Sequence, residues 1–320
     1  MRLVADIGGT NIRFALVPEG SSEPQQEANM LCADFRGLEE AARRYLSDVG
    51  VTSVTEAALD VATAVTGDFI KLTNSPWAFS IEQTRRALAL QRLLVINDFT
   101  ALALAVPSLR PAELRQVGGG AGVAGAPLAL LGAGTGLGVS GLIACGSAWI
   151  PIQGEGGHTA FSPMDEREDR VLGLLRERYG HVSTERVASG PGLVNLYESL
   201  CAVNHVVAKA LKPEHVTEAG LAGSDPQCVE ALHMFCGILG TAAANLVVTL
   251  GARGGVYIGG GVVPRLGDFF LSSPFRARFE HKGRFSKYVA EVPVWVILAE
   301  NPALVGLAAA LNSGFAATAT

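Results

Sequence analysis

Short apolar runs and helix-like periods alternate along the first third of the chain. Arg2–Ile7 and Ile12–Val17 are apolar segments of strand length joined by the glycine turn GGTN, which indicates a β-hairpin. The pattern also predicts the strands Glu56–Val65 and Leu93–Ile96, and the helices Gly37–Val49, Ile81–Leu88 and Asp98–Ala105. Strands that alternate with helices are typical of an α/β layer fold.

A similar arrangement begins again in the second part of the chain. The strand Pro127–Leu131 is followed by the turn GAGTGLG and by a second strand, VSGLIAC, so the first hairpin recurs in kind. The pattern further predicts the strand Gly255–Ile258 and the helices Asp165–Arg178, Pro191–Val203, Val229–Leu250 and Pro302–Leu311. We therefore expect two α/β domains, 1–108 and 109–299, with the segment 300–320 packing back on the first.

Composition narrows the class of protein. The chain has 320 residues, of which 49% are apolar, and this is enough for two hydrophobic cores. Residues 116–154 carry no charge, but their glycines favour short buried strands over a membrane span. The net charge of −5 and the lack of a basic run give no indication of nucleic acid or anionic lipid as a partner.

The cysteines and the N-terminus indicate a cytoplasmic protein. Five cysteines are scattered without CxxC spacing, as expected of buried free thiols in a reducing compartment. The N-terminal sequence MRLVADIGGTN lacks the layout of a signal peptide, because an acid and two glycines stand where the apolar core should be.

The segment DIGGTN, Asp6 to Asn11, places an acid before a tight glycine turn. Glycines let backbone amides approach a phosphate closely, and Thr10 and Asn11 add side-chain donors. The alternative is a simple hairpin turn, since glycine and asparagine are ordinary turn residues. The acid favours an association with Mg²⁺, because hard cations take carboxylate or water oxygens.

Two more glycine-rich segments follow strands in the second half. GAGTGLG, Gly132 to Gly138, has no Lys-Ser/Thr after it and is not a P-loop. It is a poor dinucleotide fingerprint, because a strand follows it, although Glu155 lies at a suitable distance for a ribose-binding acid. The two glycine hairpins suggest one triphosphate held from both sides. GGGVV after the strand Gly255–Ile258 could lie flat against a planar ring or be an ordinary loop.

The segment GEGGH, Gly154 to His158, has two side chains that can hydrogen-bond sugar hydroxyls, Glu155 and His158. A zinc site is disfavoured, because no second His or Cys stands at metal-binding spacing. The alternative is a polar surface loop. In TNSPWAF, Trp77 could cover a sugar ring, but core packing explains it better.

Asp98 is the only charged residue in the apolar stretch LLVINDFTALAL. A carboxylate in apolar surroundings is costly unless something pairs with it or uses it. One interpretation is a helix N-cap, a position that Asp fills well. The other is a general base that accepts a proton from a substrate hydroxyl.

Together these segments resemble the bacterial glucokinases of the proteobacterial type over essentially the whole chain. The resemblance is carried, in order, by DIGGTNIRFAL, LTNSPWAFS, VINDFTALALAVP, GAGTGLGV, IQGEGGH, HVSTERVASGPGLVNLY, GGVYIGGGVVPR and NPALVGLAAAL. It implies a duplicated ribonuclease-H-like fold of the actin and hexokinase type, with a cleft between two domains. It implies ATP-dependent phosphorylation of D-glucose at O6, with ATP and Mg²⁺ as cofactors, by a cytoplasmic homodimer.

The resemblance also implies roles for single residues. Asp98 matches the family's catalytic base, and the matching sugar-binding positions are Asn97, Glu155, His158 and Glu185. The matching ATP-binding positions are Asp6, Gly8, Gly9, Thr10, Asn11, Gly134, Thr135, Gly136, Gly259, Gly260 and Gly261. The segment HTAFSPMDERED lacks the cysteines of the zinc motif in related repressor-type sugar kinases, so we expect no zinc.

Other functions stay open at the level of sequence. A hexose kinase of broader specificity or a non-catalytic sugar sensor could use the same fold, although a sensor would not need Asp98. An NAD-dependent oxidoreductase would rest on GAGTGLG alone.

Overall fold

The computed structural model describes residues 1–72 and 77–313 and forms two compact units. Within these residues, the first unit comprises Met1–Arg110, Ala144–Gln153 and residues 299–313, and the second comprises Pro111–Ile143 and Gly154–Leu298. The end of the predicted segment 300–320, from residue 314, lies outside the described residues. The domain limits expected above remain a prediction, because compactness by itself does not show that a unit folds independently.

Each predicted strand and helix is present, and the described residues contain six further strands and five further helices that the sequence analysis did not predict. The strands are β1 (Arg2–Ile7), β2 (Asn11–Val17), β3 (Gln25–Leu31), β4 (Glu56–Val61), β5 (Phe69–Lys71), β6 (Ala78–Ser80), β7 (Arg92–Asn97), β8 (Leu114–Val117), β9 (Leu128–Ala133), β10 (Leu137–Cys145), β11 (Ala148–Gly154), β12 (Gly255–Gly259) and β13 (Val294–Ile297). The helices are α1 (Leu38–Asp48), α2 (Ile81–Ala87), α3 (Asp98–Ala105), α4 (Glu166–Tyr179), α5 (Gly190–Val203), α6 (Pro213–Leu221), α7 (Pro226–Leu250), α8 (Val262–Leu266), α9 (Asp268–Ser272), α10 (Phe275–Glu280), α11 (Ser286–Ala290) and α12 (Pro302–Asn312).

One strand is shorter than its sequence predicts. The apolar run Glu56–Val65 was expected to be strand throughout, but β4 ends at Val61. Val61 is paired with Asn97, the last residue of β7, so the neighbouring strand offers no further ladder partner. The chain therefore leaves the sheet although its residues remain apolar.

The sheet of the first unit has the order β3-β2-β1-β4-β7. β1 is antiparallel to β2 and parallel to β4, which is parallel to β7. One face packs on α1, where the ring of Phe14 stacks on that of Tyr45 at 5.0 Å. α12 packs on α3 and contacts β1 and β4. The carboxyl ends of β1, β4 and β7 meet at one edge, because Ile7, Val61 and Asn97 are in register.

The sheet of the second unit repeats this plan. Within the unit its strands run β10-β9-β12-β13-β8, with β9 antiparallel to β10 and parallel to β12, and β12 parallel to β13. Each sheet thus contains an antiparallel hairpin that is continued by parallel strands, and in the second sheet β8 is added antiparallel to β13. The predicted recurrence of the first hairpin is confirmed.

The long helix α7 lies in the core of the second unit. It packs against α5, α6 and α10. By length and hydropathy α7 could cross a membrane, and it is the one helix of the described residues that meets both criteria. However, 67% of its most apolar 18-residue stretch is buried inside the fold, so packing within the protein accounts for its apolar composition.

The cysteines and Trp77 bear on two expectations. All five cysteines are free thiols, and four are buried as expected, but Cys145 is exposed at the end of β10.

The side chain of Trp77 is buried in the core of the first unit, and its Nε1–H donates to the carbonyl of Phe35 at 3.3 Å. Trp77 is therefore a core residue. The preceding segment TNSP, residues 73–76, lies outside the described residues.

Candidate functional site

The turn of DIGGTN follows β1 at the carboxyl edge of the first sheet. The Gly8 N–H donates to the carbonyl of Asn11 at 2.9 Å. The N–H of Cys32, the residue after β3, donates to the carbonyl of Thr10 at 2.9 Å. Thr10 and Asn11 are exposed, while Gly8 and Gly9 are half-buried. The turn is thus a fixed backbone frame with polar side chains facing solvent, as phosphate binding requires.

A row of charged residues crosses the sheet just behind this turn. Asp6 on β1 is paired with Arg13 on β2 and with Asp60 on β4. The Arg13 guanidinium donates to the Asp6 carboxylate at 3.4 Å, and both side chains remain partly exposed. A partly exposed carboxylate with only one long ion pair retains oxygen lone pairs for water or for a hydrated cation.

Asp60 was missed by the sequence analysis. It is fully buried, and neither carboxylate oxygen has a hydrogen-bond partner of normal geometry in the described part of the chain. Burial, followed by the negative charges of Asp6 and Asp98, holds the pKa of Asp60 well above its usual range. An acid in the middle of the apolar strand EAALDVATAV was the signal that could have found it, similar to the signal that drew attention to Asp98.

The junction of β7 and α3 bears on the N-cap interpretation of Asp98. Asn97 is the N-cap of α3: its Oδ1 accepts from the Phe99 N–H at 2.9 Å, and its Nδ2 donates to the carbonyl of Thr63 at 3.4 Å. Asp98 is the first helical residue, is half-buried, and also accepts from the Phe99 N–H at 2.9 Å. The N-cap interpretation of Asp98 is therefore wrong, because Asn97 already holds that position.

The loop of GAGTGLG joins β9 to β10 in the second unit. The Gly134 N–H donates to the carbonyl of Gly136 at 2.8 Å, which closes the turn around Thr135. β10 starts at Leu137, directly after the turn. Because a helix does not follow this loop, it is not the phosphate-binding turn of a dinucleotide fold, which disfavours the oxidoreductase.

The triple glycine Gly259–Gly261 lies against the start of the same loop. Gly260 has φ +77° and stands so close to the carbonyl of Ala133 that a β-carbon there would overlap it. A side chain is also excluded at Gly132, which faces the backbone of Gly259. The fold therefore requires glycine at these positions, and it brings the predicted adenosine segment next to the predicted phosphate loop.

The segments GEGGH and STERV lie side by side in the second unit. Glu155 precedes a short 3₁₀ turn, Gly156–His158, and both Glu155 and His158 are exposed. The Thr184 N–H of STERV donates to the carbonyl of Thr159 at 2.8 Å. Two exposed polar side chains and the half-buried Glu185 therefore belong to one local surface, suited to hydroxyl groups.

Glu185 also contacts the phosphate loop, which the sequence did not indicate. Its Oε2 accepts from the Leu137 N–H at 2.9 Å, across 48 residues of sequence. No group of three or more His, Cys, Asp or Glu residues in residues 1–72 and 77–313 is arranged to hold a metal ion.

The predicted residues thus form two sets. The first unit contains Asp6, the turn Gly8–Asn11, Asn97 and Asp98, together with the unpredicted Asp60. The second contains Glu155, His158, Glu185 and the segments Gly134–Gly136 and Gly259–Gly261. Within each unit the fold gathers residues that are far apart in sequence.

Comparison with known proteins gives concordant results. The glucokinase family profile matches residues 3–314. A glucokinase from Aromatoleum aromaticum (strain EbN1) is 50% identical over 316 residues, covering 98% of this chain and 96% of that protein.

Solved structures extend the likeness to the fold. A glucokinase from an Antarctic psychrotroph has a TM-score of 0.89 at 36% identity, covering 98% of both chains. A ROK family glucokinase from Streptomyces griseus, solved with glucose and AMPPNP, has a TM-score of 0.64 at 19% identity, covering 98% of this chain and 99% of its own. The expected α/β fold of the actin and hexokinase type is confirmed.

Proposed function

The chain belongs to the glucokinase family and phosphorylates glucose with ATP, and we propose that Asp98 removes the proton of the attacking sugar hydroxyl. The primary hydroxyl at O6 is a weak nucleophile. A carboxylate within hydrogen-bond reach accepts its proton as the bond to phosphorus forms.

One observation carries the assignment of Asp98. Its half-buried carboxylate stands at the first turn of α3, while the neighbouring Asn97 supplies the N-cap. Asn97 connects the start of α3, at Phe99, to the segment that follows β4, at Thr63. An acid in the first helical turn, beside a residue that fixes the local backbone, is suited to meet a substrate in one orientation.

The sugar-binding part of the proposal concerns Glu155, His158 and Glu185. Carboxylates accept hydrogen bonds from hydroxyl groups, and an imidazole can donate or accept. A charged acceptor forms a stronger hydrogen bond than a neutral one, and such bonds fix which hydroxyl faces the phosphate. Asn97 would complete this set with its amide.

The ATP-binding part rests on the glycine-rich segments. The turns at Gly8–Asn11 and Gly134–Gly136 would hold phosphates through backbone amides, and Gly259–Gly261 would support the adenosine. Mg²⁺ fits next to Asp6, whose partly exposed carboxylate is a hard oxygen donor. When bound with ATP, Mg²⁺ neutralises phosphate charge. Asp6 would hold the hydrated ion, and the loops would orient the γ-phosphoryl group.

Location and assembly belong to the same proposal. We propose a cytoplasmic enzyme of glucose breakdown that acts as a homodimer, since the family resemblance suggests both. The net charge of −5 without a basic run is consistent with small-molecule substrates and with the absence of nucleic-acid or membrane partners.

The test is a coupled assay for ADP with purified protein, ATP and Mg²⁺. Glucose is compared with mannose, glucosamine and fructose at equal concentrations. We expect ADP release that depends on glucose and a product phosphorylated at O6. Glucose binding without ADP release would instead indicate a sugar sensor, and equal rates with several hexoses would indicate a broader hexose kinase.

A further inference from the structure

We propose that Glu185 is a positioning residue for the phosphate loop, holding Leu137 with one carboxylate oxygen and a sugar hydroxyl with the other. Binding of glucose would thereby fix the loop Gly134–Gly136 and strengthen the binding of ATP. This inference rests on the proposed function of Glu185 as a sugar ligand and adds a second task to it.

The first step is that the two carboxylate oxygens of Glu185 have different environments. Oε2 accepts from the Leu137 N–H at 2.9 Å, at the residue where the loop becomes β10. Oε1 makes no hydrogen bond within the described residues and is not sealed from solvent. A carboxylate offers two oxygens with several acceptor positions, so one can serve the loop while the other serves a ligand.

The second step is that this carboxylate lies directly on the loop. A β-carbon at Gly136 would stand 2.5 Å from Oε2 of Glu185. The contact is therefore a close fit of the carboxylate against bare backbone. A change in the position of the carboxylate must be felt at Gly136, because no side chain separates the two.

The third step is that the same segment holds the other end of the loop. The Gly190 N–H donates to the carbonyl of Gly134 at 2.8 Å. Ser189 ties Gly190 to Glu185, since its Oγ donates to the Glu185 carbonyl at 2.8 Å and accepts from the Gly192 N–H at 3.0 Å. Residues 185–190 thus hydrogen-bond to both ends of the phosphate loop, at Gly134 and at Leu137.

The neighbouring sugar segment offers a matched control. Glu155 precedes Gly156–His158, and Gly157 packs on the carbonyl of Leu137 so closely that a side chain would not fit. However, the Glu155 side chain makes no hydrogen bond within the described residues. Glu155 should therefore contribute to sugar binding without holding the loop.

The experiment compares Glu185→Ala, Glu185→Gln and Glu155→Ala with the unaltered enzyme. Steady-state kinetics give the KM for glucose and for ATP, and calorimetry gives the Kd of AMPPNP with and without glucose. In the unaltered enzyme we expect glucose to lower the Kd of AMPPNP. In Glu185→Ala that effect should disappear, and the KM for both substrates should rise, each by roughly 10- to 100-fold for a lost charged hydrogen bond.

The other variants separate the two tasks of Glu185. Glu185→Gln retains a carbonyl oxygen for the Leu137 N–H, so the KM for ATP should recover towards that of the unaltered enzyme while the KM for glucose stays high. Glu155→Ala should raise the KM for glucose alone and keep the effect of glucose on AMPPNP at saturating sugar.

The outcomes that overturn the inference differ from those that overturn the proposed function. If Glu185→Ala raises only the KM for glucose, Glu185 binds sugar but does not position the loop. If it leaves the KM for glucose unchanged, the sugar-binding role itself is wrong. If Glu155→Ala abolishes the effect of glucose on AMPPNP as well, the effect is not specific to Glu185 and the inference fails.

Discussion

Asp6 and Asp60 stand side by side in register on the neighbouring parallel strands β1 and β4, and Asp60 is sealed from solvent. Two carboxylates this close do not both ionise without a large cost, because burial and like charge oppose the second ionisation. Arg13 forms its ion pair with Asp6, and its charge affects the pKa of Asp60 less than burial and the two neighbouring aspartates do. Burial and the negative charges of Asp6 and Asp98 therefore hold the pKa of Asp60 well above its usual range.

The first prediction concerns stability as a function of pH. A carboxyl whose pKa is raised on folding binds its proton more tightly in the folded state, so its contribution to stability is complete below the unfolded pKa and is lost as pH rises through the folded value. Asparagine does not titrate, so Asp60→Asn does not lose stability in this way. The Tm of Asp60→Asn minus the Tm of the unaltered protein should therefore increase as the pH rises.

Thermal unfolding scans of both proteins between about pH 4 and pH 9 give this difference. The range starts near the ordinary pKa of an aspartate. The control is Asp68→Asn, which changes an exposed aspartate of the same unit that accepts from the Glu82 N–H in the first turn of α2. A difference between Asp60→Asn and the unaltered protein that does not vary with pH would show that Asp60 is ionised throughout.

The second prediction concerns catalysis by Asp98. Asp98→Asn keeps the size of the side chain and an oxygen that can accept from Phe99, but it removes the basic carboxylate. Turnover should fall by about 10² to 10⁴, the contribution of general base catalysis. Calorimetric binding of glucose should change little. Near-normal turnover in Asp98→Asn would contradict the assignment.

A third prediction concerns the cap at Asn97. Asn97→Ala removes the acceptor for the Phe99 N–H, which should cost about 0.5–2 kcal/mol of stability. Asn97→Asp retains an acceptor and should preserve most of that stability. Chemical denaturation of the two variants gives the comparison. Equal stability of Asn97→Ala and the unaltered protein would mean that Asp98 can take over the cap.

The fourth prediction concerns sugar binding without metal. Glu155→Gln replaces a charged acceptor by a neutral one, so glucose should bind more weakly by an amount of about 1.5–3 kcal/mol, as for a charged hydrogen bond. Calorimetry with glucose measures the change. Elemental analysis of the purified enzyme should find no stoichiometric zinc, and one zinc per chain would contradict the assignment of Glu155 and His158 to sugar.

The fifth prediction concerns the packing of α12 on α3. A β-carbon at Gly306 would overlap the carbonyl of Ala101, so Gly306→Ala must push the two helices apart. Overpacking of this kind costs about 1–3 kcal/mol. The control is Gly173→Ala on α4, where an added β-carbon meets nothing within 4 Å and alanine should stabilise the helix by about 0.5–1 kcal/mol. Denaturation curves in which both substitutions have the same sign would contradict this account.

Much of the fold could be predicted from the sequence because its signals are local. Apolar segments joined by a glycine turn predicted β1 and β2, and the helical patterns from Asp165 and Pro191 predicted α4 and α5, whose N-caps are Asp165 and Ser189. The glycine turns after β1 and β9 marked the two hairpins and, together with the other motifs in their order, indicated the family. Each of these features depends on residues within one or two turns of chain, which the sequence displays directly.

The sequence by itself therefore determined the elements, the motifs and the chemistry available to them, while the tertiary structure decided which groups meet. It gave the cap of α3 to Asn97 and placed Asp98 in the first turn of the helix. It placed Asp60 beside Asp6 and brought Glu185 to Leu137 across 48 residues. Such contacts depend on strand register and on close backbone packing, and neither can be read from local propensity because the partners are distant along the chain.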